Sequence, residues 1–276
     1  MNEKNRNLAV RLGTAFLLLP IIIWLVVRGG LYTALLLGLA SAVCAGEYYV
    51  ITLRKLSAAA WVGLLLAGVF PLLPLLQQGA SAQAAFWLTG GFMLFAWIFH
   101  LLRGPLQEAP VLAAHLLTGL LFASVGLTAL SALRLRADGF EWVICALTIT
   151  WLNDTAAYFA GRFLGKRKLY VEVSPNKTWE GFFGGLAGSV VGMFGCKFIF
   201  FPTATVQDCL ILGVCGGLLG PLGDLSESML KRAYKVKDSG KSIPGHGGML
   251  DRLDALLFNG PLVYLYVQFV RGAITG

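Results

Sequence analysis

The sequence predicts an all-α, polytopic integral membrane protein with about nine transmembrane helices. Of its 276 residues, 57% are hydrophobic and only 13% are charged, whereas soluble domains carry roughly 25% charged residues. The mean hydropathy is correspondingly high, at +0.73. A spanning helix needs about 20 mostly apolar residues, and such runs occupy 10–27, 31–52, 58–76, 84–102, 111–133, 140–162, 181–201, 206–222 and 253–270.

The ends of these runs are marked by turn residues. Gly29 and Gly30 separate the first two runs and predict a tight hairpin. The first run follows a basic start, as the apolar part of a signal peptide does, but it is long and contains Pro20, so we expect a retained helix. The segment 206–222 is short and rich in glycine, so a re-entrant segment, with eight spans in all, is the alternative.

The distribution of positive charge predicts the orientation. With nine spans and a cytoplasmic N-terminus, most of the 22 lysines and arginines fall on the cytoplasmic side, as the positive-inside rule requires. The sequence therefore predicts a multi-pass protein of the cell (inner) membrane with an N-in, C-out orientation. The same rule accounts for the net charge of +8, so we expect no nucleic-acid partner.

Two parts of the chain differ in their chemistry. Residues 1–139 hold few charges within the spans and are predicted to be a transmembrane scaffold. Residues 140–276 hold most of the 14 acidic residues and are predicted to be the catalytic region. Its polar segments 163–180 and 223–252 are predicted to be two cytoplasmic loops that build one site, facing the cytoplasm.

The segment from Ser228 to Asp254 concentrates charge of both signs beside apolar spans. Charge is costly next to a bilayer, so such a cluster is a functional-site hypothesis. We expect it to bind a polyphosphate and a metal ion. The charged residues of the segment are Lys231, Arg232, Lys235, Lys237, Asp238, Lys241, Asp251, Arg252 and Asp254.

A polar stripe precedes and enters this segment. On a helix, Asp224, Glu227, Ser228 and Lys231 fall at positions i, i+3, i+4 and i+7 and share one face. One interpretation is an acid that holds a metal ion, with a base further along that binds phosphate. The other is the solvated end of an amphipathic helix.

Glycines interrupt the charged segment between Lys237 and Gly248. They allow the backbone to approach a phosphate group closely. The triplet Gly-Lys-Ser at 240–242 is typical of a phosphate-binding Walker A loop, but Lys235 stands where that motif needs a glycine. His246 lies between two glycines and is a candidate base, phosphate donor or structural donor.

Asp251 and Asp254 open the last apolar run. Carboxylates in a first helical turn are favoured by the helix dipole, so a capping role is one interpretation. The other is that these hard oxygen ligands, with Arg252 between them, hold Mg²⁺ on a nucleotide triphosphate.

Two acids fall within predicted spans. Asp154 is a functional candidate by its position, or else it pairs with Arg162 or Lys177. Glu47 either supports a site or makes a hydrogen bond between helices. Downstream of Asp154, the stretch 174–181 (SPNKTWEG) contains Pro175, which predicts an interruption of helical structure before the next helix begins.

These motifs resemble those of the phosphatidate cytidylyltransferase family, also called CDP-diacylglycerol synthases. The resemblance covers about residues 140–270 and includes 153–155 and 174–181 upstream of the main signature. Residues 1–139 resemble the family only in hydropathy and length. The matching signature positions are Ser228, Lys231, Arg232, Lys237, Asp238, Gly240, Pro244, His246, Gly247, Gly248, Asp251, Arg252 and Asp254.

The resemblance implies transfer of a cytidylyl group from CTP to phosphatidate, a membrane lipid, giving CDP-diacylglycerol and pyrophosphate. It implies Mg²⁺ as the cofactor and allows K⁺ beside it, with Asp224 and Asp251 as metal ligands. The candidate catalytic residues are Lys177, Lys231, Arg232, Lys237, Asp238, His246 and Arg252. The candidate substrate-binding residues are Asp154, Ser174, Lys177, Ser228, Gly247, Gly248 and Asp254.

Three alternatives belong to other classes of protein. A CTP-dependent polyprenol kinase would use the same nucleotide, but the full signature disfavours it. A transporter would use Asp154 and Glu47 as an ion path, but no inverted repeat is evident. A CDP-alcohol phosphotransferase is disfavoured because its characteristic motif is absent. The small residues in the spans would allow a homodimer.

Overall fold

The computed structural model describes residues 3–77, 79–245 and 247–271, and the side chains of 3–15 are outside this description. Within these ranges the chain forms nine α-helices and one two-stranded hairpin, so the predicted all-α class is confirmed. The elements are α1 Glu3–Arg28, α2 Gly30–Leu53, α3 Ala58–Val69, α4 Ala80–Arg103, α5 Ala109–Arg134, α6 Gly139–Leu164, β1 Lys168–Tyr170, β2 Ser174–Thr178, α7 Trp179–Ile199, α8 Val206–Ala233 and α9 Leu250–Leu265. A 3₁₀ segment, Phe70–Leu75, extends α3, and a π-helical segment, Tyr266–Arg271, follows α9.

Eight segments are long and apolar enough to cross a membrane: α2, α3 with its 3₁₀ extension, α4, α5, α6, α7, α8, and α9 with its π-helical end. They match eight of the nine predicted spans. The ninth, 10–27, lies in α1, of which only the shorter apolar stretch Phe16–Arg28 has described side chains. Because α8 is continuous over 28 residues, it does not have the form of a short re-entrant segment.

The chain divides into two compact units. The first comprises 1–135 and 234–252, and the second comprises 136–233 and 253–276. The division after residue 135 lies close to the sequence-based boundary after 139. However, the structure packs 234–252 with the first unit, whereas the sequence grouped this segment with the C-terminal region.

Both predicted loops contain regular structure. Residues 223–233, predicted as part of a loop, are the last turns of α8, so the helical spacing of the stripe that begins at Asp224 is confirmed. The irregular part of this loop is therefore shorter and, among the described residues, covers 234–245 and 247–249. Within 163–180, β1 and β2 pair as an antiparallel hairpin, which the sequence analysis did not predict.

Helices of the first unit pack closely through small residues. The Tyr49 ring fills the space above Gly63 and Gly119, where a side chain would overlap it. Its hydroxyl donates to the Leu116 carbonyl at 2.7 Å, so α2 is joined to α5. At the end of α1, the Arg134 guanidinium donates to two backbone carbonyls, which leaves no room for a side chain at Gly29, whose φ is +70°.

In the second unit, α6 and α7 approach along a row of small residues. Added side chains at Gly181, Gly184 and Gly188 would meet backbone or alanine atoms of α6, as is typical of closely packed membrane helices. The buried Asn153 amide donates to Ser189 Oγ at 3.0 Å and to the Gly217 carbonyl at 3.1 Å. These bonds hold α6, α7 and α8 in register.

Candidate functional site

The hairpin of the second unit places Lys177 against α8. Lys177 Nζ lies 2.5 Å from Asp224 Oδ2, and Ser228 Oγ, one turn further along α8, donates to Asp224 Oδ1 at 3.3 Å. Thr178 caps α7 by accepting from the Gly181 N–H, which fixes the end of β2 next to Lys177. The Lys177 and Asp224 side chains are 25% and 33% exposed, so the pair remains accessible.

Asp154 and Asp254 share the electrostatic surroundings of this ion pair. Each interacts with the charges of Asp224 and Lys177, and Asp254 also interacts with Asp154. We call Asp154, Lys177, Asp224 and Asp254 the carboxylate–lysine cluster. The cluster therefore groups three acidic side chains with one lysine, of which Lys177 and Asp224 form the ion pair.

A cavity of about 510 Å³ opens beside this cluster. This volume falls within the range of ordinary small-molecule sites, about 300–1,000 Å³. Its walls come from α6, α7, α8 and the hairpin, and its lining includes Asn153, Asp154, Tyr158, Arg162, Lys177 and Asp224.

Arg162 is a functional candidate that the sequence analysis considered only as a partner for Asp154. In the structure its Nη1 donates to Tyr158 Oη at 2.7 Å, and within the described ranges no ion pair joins Arg162 or Asp154 to another side chain. Lys177 pairs with Asp224 rather than with Asp154. The i, i+4, i+8 spacing of Asp154, Tyr158 and Arg162 could have revealed this common helix face.

Two of the predicted catalytic cations are held by protein groups. Lys231 forms an ion pair with the buried Glu227 one turn before it, and Arg232 Nε donates to the Val173 carbonyl at 3.3 Å. Lys231 is only 13% exposed. A role for Lys231 in binding phosphate therefore requires it to exchange or share its present partner. Arg232 is exposed and uses only one of its five N–H donors in its bond to the Val173 carbonyl, so the others can bind phosphate.

Within the first unit, Glu47 holds the glycine-containing segment, which lies between Ser239 and Leu250. Glu47 Oε2 accepts from Ser239 Oγ at 2.8 Å and from the Leu250 N–H at 2.8 Å. Its Oε1 accepts from Ser242 Oγ and from the Met249 N–H. The partners of Glu47 thus lie in the signature segment, and one of them, Leu250, is the first residue of α9.

Asp251 is held by the same segment. Its Oδ2 accepts from the backbone N–H groups of Ser239 at 2.9 Å and of Gly248 at 3.1 Å. It also lies 3.0 Å from Ser239 Oγ, whose single proton can go to Asp251 or to Glu47 but not to both. These donors precede α9 in the chain, so Asp251 does more than cap its own helix. We call Glu47, Ser239, Ser242, Gly248 and Asp251 the glycine-loop cluster.

Glycines at and beside this cluster allow the backbone to lie close to the Ser239 and Glu47 side chains. A side chain at Gly248 would overlap Ser239 Oγ, and one at Gly240 would meet the Glu47 carboxylate. Gly247 has a φ of +87°, which side chains disfavour. At the start of the segment, Tyr234 Oη lies 2.7 Å from His115 Nε2, a second attachment that the sequence analysis did not anticipate.

The remaining candidate residues belong to neither of the two clusters. Lys237, Asp238 and Arg252 are exposed, and Ser174 is half-buried at the start of β2. His246 lies outside the described residues, so its proposed roles stay predictions. Among the described residues, no group of three or more His, Cys, Asp and Glu side chains is arranged to hold a metal ion.

Comparison with known proteins shows similarity along most of the chain. The model of the cytidylyltransferase family matches residues 9–270. Over 141 residues the chain is 42% identical to a phosphatidate cytidylyltransferase of Staphylococcus haemolyticus. It is 44% identical over 142 residues to that of Staphylococcus saprophyticus and 43% identical over 143 residues to that of Staphylococcus aureus. Each alignment covers 51% of this chain and 54% of the relative, so the chain spans about half the length of the curated relatives it matches.

Proposed function

The chain belongs to the cytidylyltransferase family, and on this basis we propose that it is a phosphatidate cytidylyltransferase of the cell membrane. It would transfer the cytidylyl group of CTP to phosphatidate and release pyrophosphate. The observation that carries this proposal is the Lys177–Asp224 ion pair beside a cavity. The names of the relatives, which bear the same activity, support the choice of both substrates.

The reaction needs little proton transfer. A phosphate oxygen of phosphatidate would attack the α-phosphorus of CTP, while the bond from that phosphorus to the bridging oxygen of the β-phosphate breaks. The phosphate is already ionised near neutral pH, so the main obstacle is repulsion between two anions. Transfers of this kind are catalysed mainly by positioning and charge neutralisation, which the cationic side chains of this chain can provide.

A divalent cation fits the residues of the second unit. The carboxylate–lysine cluster has three carboxylates to one lysine, and Mg²⁺ sites for nucleotides use one or two carboxylates plus substrate phosphates. The resemblance implies Asp224 of this unit as a metal ligand, and it also implies Asp251, which belongs to the first unit. When bound, Mg²⁺ would supply Lewis-acid activation of the phosphate. A K⁺ ion beside it is part of the same proposal.

The positively charged side chains would bind different phosphate groups of the two substrates. We assign Lys177 to the transferred phosphate, because its ammonium group is accessible at the cavity. We assign Arg162, which lines the same cavity, to an incoming phosphate group. Arg232, Lys237 and Arg252 are exposed and would neutralise the leaving pyrophosphate. Lys231 would join them after exchanging or sharing its partner Glu227.

The proposed orientation places the charged segments at the cytoplasmic surface. It is supported by the excess of lysine and arginine on that side of the predicted topology. CTP is a soluble nucleotide, whereas phosphatidate lies in the bilayer. A site at the membrane boundary would give both substrates access.

The proposal is tested with purified full-length protein, CTP labelled at the α-phosphate, Mg²⁺ and phosphatidate in detergent micelles. We expect label in the lipid extract as CDP-diacylglycerol, with one pyrophosphate released for each lipid labelled. Micelles with diacylglycerol in place of phosphatidate are the control. Absence of phosphatidate-dependent label would contradict the proposal, and solute uptake into vesicles without lipid labelling would support the transporter alternative.

A further inference from the structure

Glu47 is buried in the middle of a segment that contains few other charges. Glu47 lies in α2, in the part of the chain predicted as scaffold, and is 7% exposed. All four of its hydrogen bonds come from neutral donors that lie about 200 positions further along the chain. A buried carboxylate is costly unless it is fully hydrogen-bonded, so this arrangement favours one specific conformation of the donors.

The two carboxylate oxygens of Glu47 have equivalent surroundings. Each accepts one backbone N–H, from Met249 or Leu250, and one serine hydroxyl. Loss of Oε2 would therefore remove the acceptor of the buried Leu250 N–H, whereas the Met249 N–H also donates to Ser242 Oγ. A glutamine in place of Glu47 would direct an amide N–H₂ toward such a donor, since an amide supplies only one acceptor oxygen.

Ser239 connects Glu47 to Asp251. Its Oγ lies 2.8 Å from Glu47 Oε2 and 3.0 Å from Asp251 Oδ2, and its N–H donates to the same Asp251 oxygen. Ser242 Oγ also donates to Glu47, on the other carboxylate oxygen, and it accepts from the Met249 N–H. The two serines therefore form a matched pair of Glu47 partners, of which Ser239 contacts the proposed metal ligand.

We propose that Glu47 is a positioning residue for Asp251, acting through Ser239. It fixes the conformation of the glycine-containing segment and the direction of the Asp251 carboxylate, and thereby sets the affinity for the divalent cation. The inference rests on the proposed function in one respect, namely that Asp251 is a metal ligand. It gives the N-terminal half a direct part in the site rather than a scaffold role alone.

The test is binding of Mn²⁺, as a probe for Mg²⁺, to purified full-length protein without substrates, measured from the free Mn²⁺ signal in electron paramagnetic resonance. Groups that orient metal ligands typically contribute about 10–100-fold in affinity. We expect Ser239→Ala to weaken Mn²⁺ binding at least tenfold and Ser242→Ala less than threefold. Glu108→Gln, at an exposed glutamate, is the control for the loss of one carboxylate.

A double-mutant cycle tests the connection through Ser239. If Glu47 acts through this serine, the effects of Glu47→Gln and Ser239→Ala on the Mn²⁺ dissociation constant are not additive. We expect the double variant to bind Mn²⁺ within threefold of the weaker single variant. Fully multiplied effects, or equal effects of Ser239→Ala and Ser242→Ala, would overturn the inference.

Limited trypsin digestion provides a readout that needs no metal ion. Lys235, Lys237 and Lys241 flank or lie in the segment that Glu47 holds. We expect Glu47→Gln to speed cleavage there, while cleavage in Glu108→Gln matches the wild type. If Glu47→Gln does not fold, Ser239→Ala and Ser242→Ala still decide the question.

The outcomes separate this inference from the proposed function. Wild-type protein that transfers label to phosphatidate while all variants bind Mn²⁺ equally would overturn only the role of Glu47. Wild-type protein that binds Mn²⁺ with the predicted differences between variants, but transfers no label, would overturn only the proposed activity.

Discussion

Carboxylates meet opposite surroundings in the two units of this protein. In the second unit, Asp224 has one cationic partner, remains one-third exposed and lies beside a cavity. In the first unit, Glu47 is buried and each of its oxygens accepts two hydrogen bonds. The first environment leaves room for a ligand, whereas the second fixes a backbone segment. The two carboxylates therefore differ in what surrounds them: Asp224 lies in open surroundings beside a cavity, and Glu47 is enclosed by the segment that it holds.

The largest effect is expected from Asp224→Asn. This change keeps the size of the side chain but removes the charge next to Lys177, and with it a proposed metal ligand. Loss of one preorganised electrostatic group typically lowers turnover by about 10²–10³-fold. We expect a loss at the upper end, measured as the initial rate of α-label transfer, with the melting temperature of the protein within a few degrees. Activity within threefold of wild type would remove Asp224 from the site.

Lys177→Ala should lower turnover by about 10²-fold, because the variant loses one of the two charges of the ion pair and an accessible cation of the cavity. Lys177→Arg retains the charge but replaces a compact ammonium group with a planar guanidinium group, so partial activity is expected. Lys197→Ala provides a control for loss of a lysine elsewhere in the second unit. A change in expression with unaltered turnover would show that Lys177 is structural.

Gly248→Ala tests the crowding in the first unit. The added methyl group would overlap Ser239 Oγ, and overpacking of this kind costs about 1–3 kcal/mol. We expect a lower melting temperature and faster tryptic cleavage of 234–249. Gly91→Ala, where nothing lies near the added atom, is the matched control. If both variants melt at the same temperature, the close packing of Gly248 on Ser239 is incorrect.

A smaller effect is expected from Arg162→Gln. Because the side chain lines the cavity and contacts only Tyr158 among the described polar groups, its removal should weaken binding rather than stop chemistry. We expect the KM for phosphatidate to rise about tenfold with kcat changed less than threefold, which is the signature of lost ground-state binding. Tyr158→Phe retains Arg162 and should change the same KM by less than threefold. A selective fall in kcat would instead indicate that Arg162 stabilises the transition state.

The sequence predicted much of the fold because the apolar runs are long. Eight of them match the helices of the structure, and the stripe of Asp224, Glu227, Ser228 and Lys231 lies on a helix as its spacing indicated. The error at 223–233 has a physical origin. The apolar run ends near Leu222, but the backbone hydrogen bonds of α8 continue to Ala233, since a membrane boundary does not end a helix.

The partners within each cluster could not be predicted from the sequence. Glu47 and Leu250 are 203 positions apart, and no local pattern encodes such a pairing. The β1–β2 hairpin was also missed, because its strands are short and β2 contains Pro175, which disfavours a central strand. The segment from Ser228 to Asp254 stands out in the sequence by its charge. Only the structure shows that Asp251 belongs to the glycine-loop cluster and Asp254 to the carboxylate–lysine cluster.

The central claim is that the protein transfers the α-phosphorus of CTP to a lipid phosphate, and parallel reactions with α-labelled and γ-labelled CTP test it most directly. With phosphatidate as acceptor, we expect the α-label to enter the lipid extract and the γ-label to remain in the aqueous phase as pyrophosphate. Transfer of the γ-label to a lipid, with the α-label left in the aqueous phase, would identify a kinase and contradict the claim.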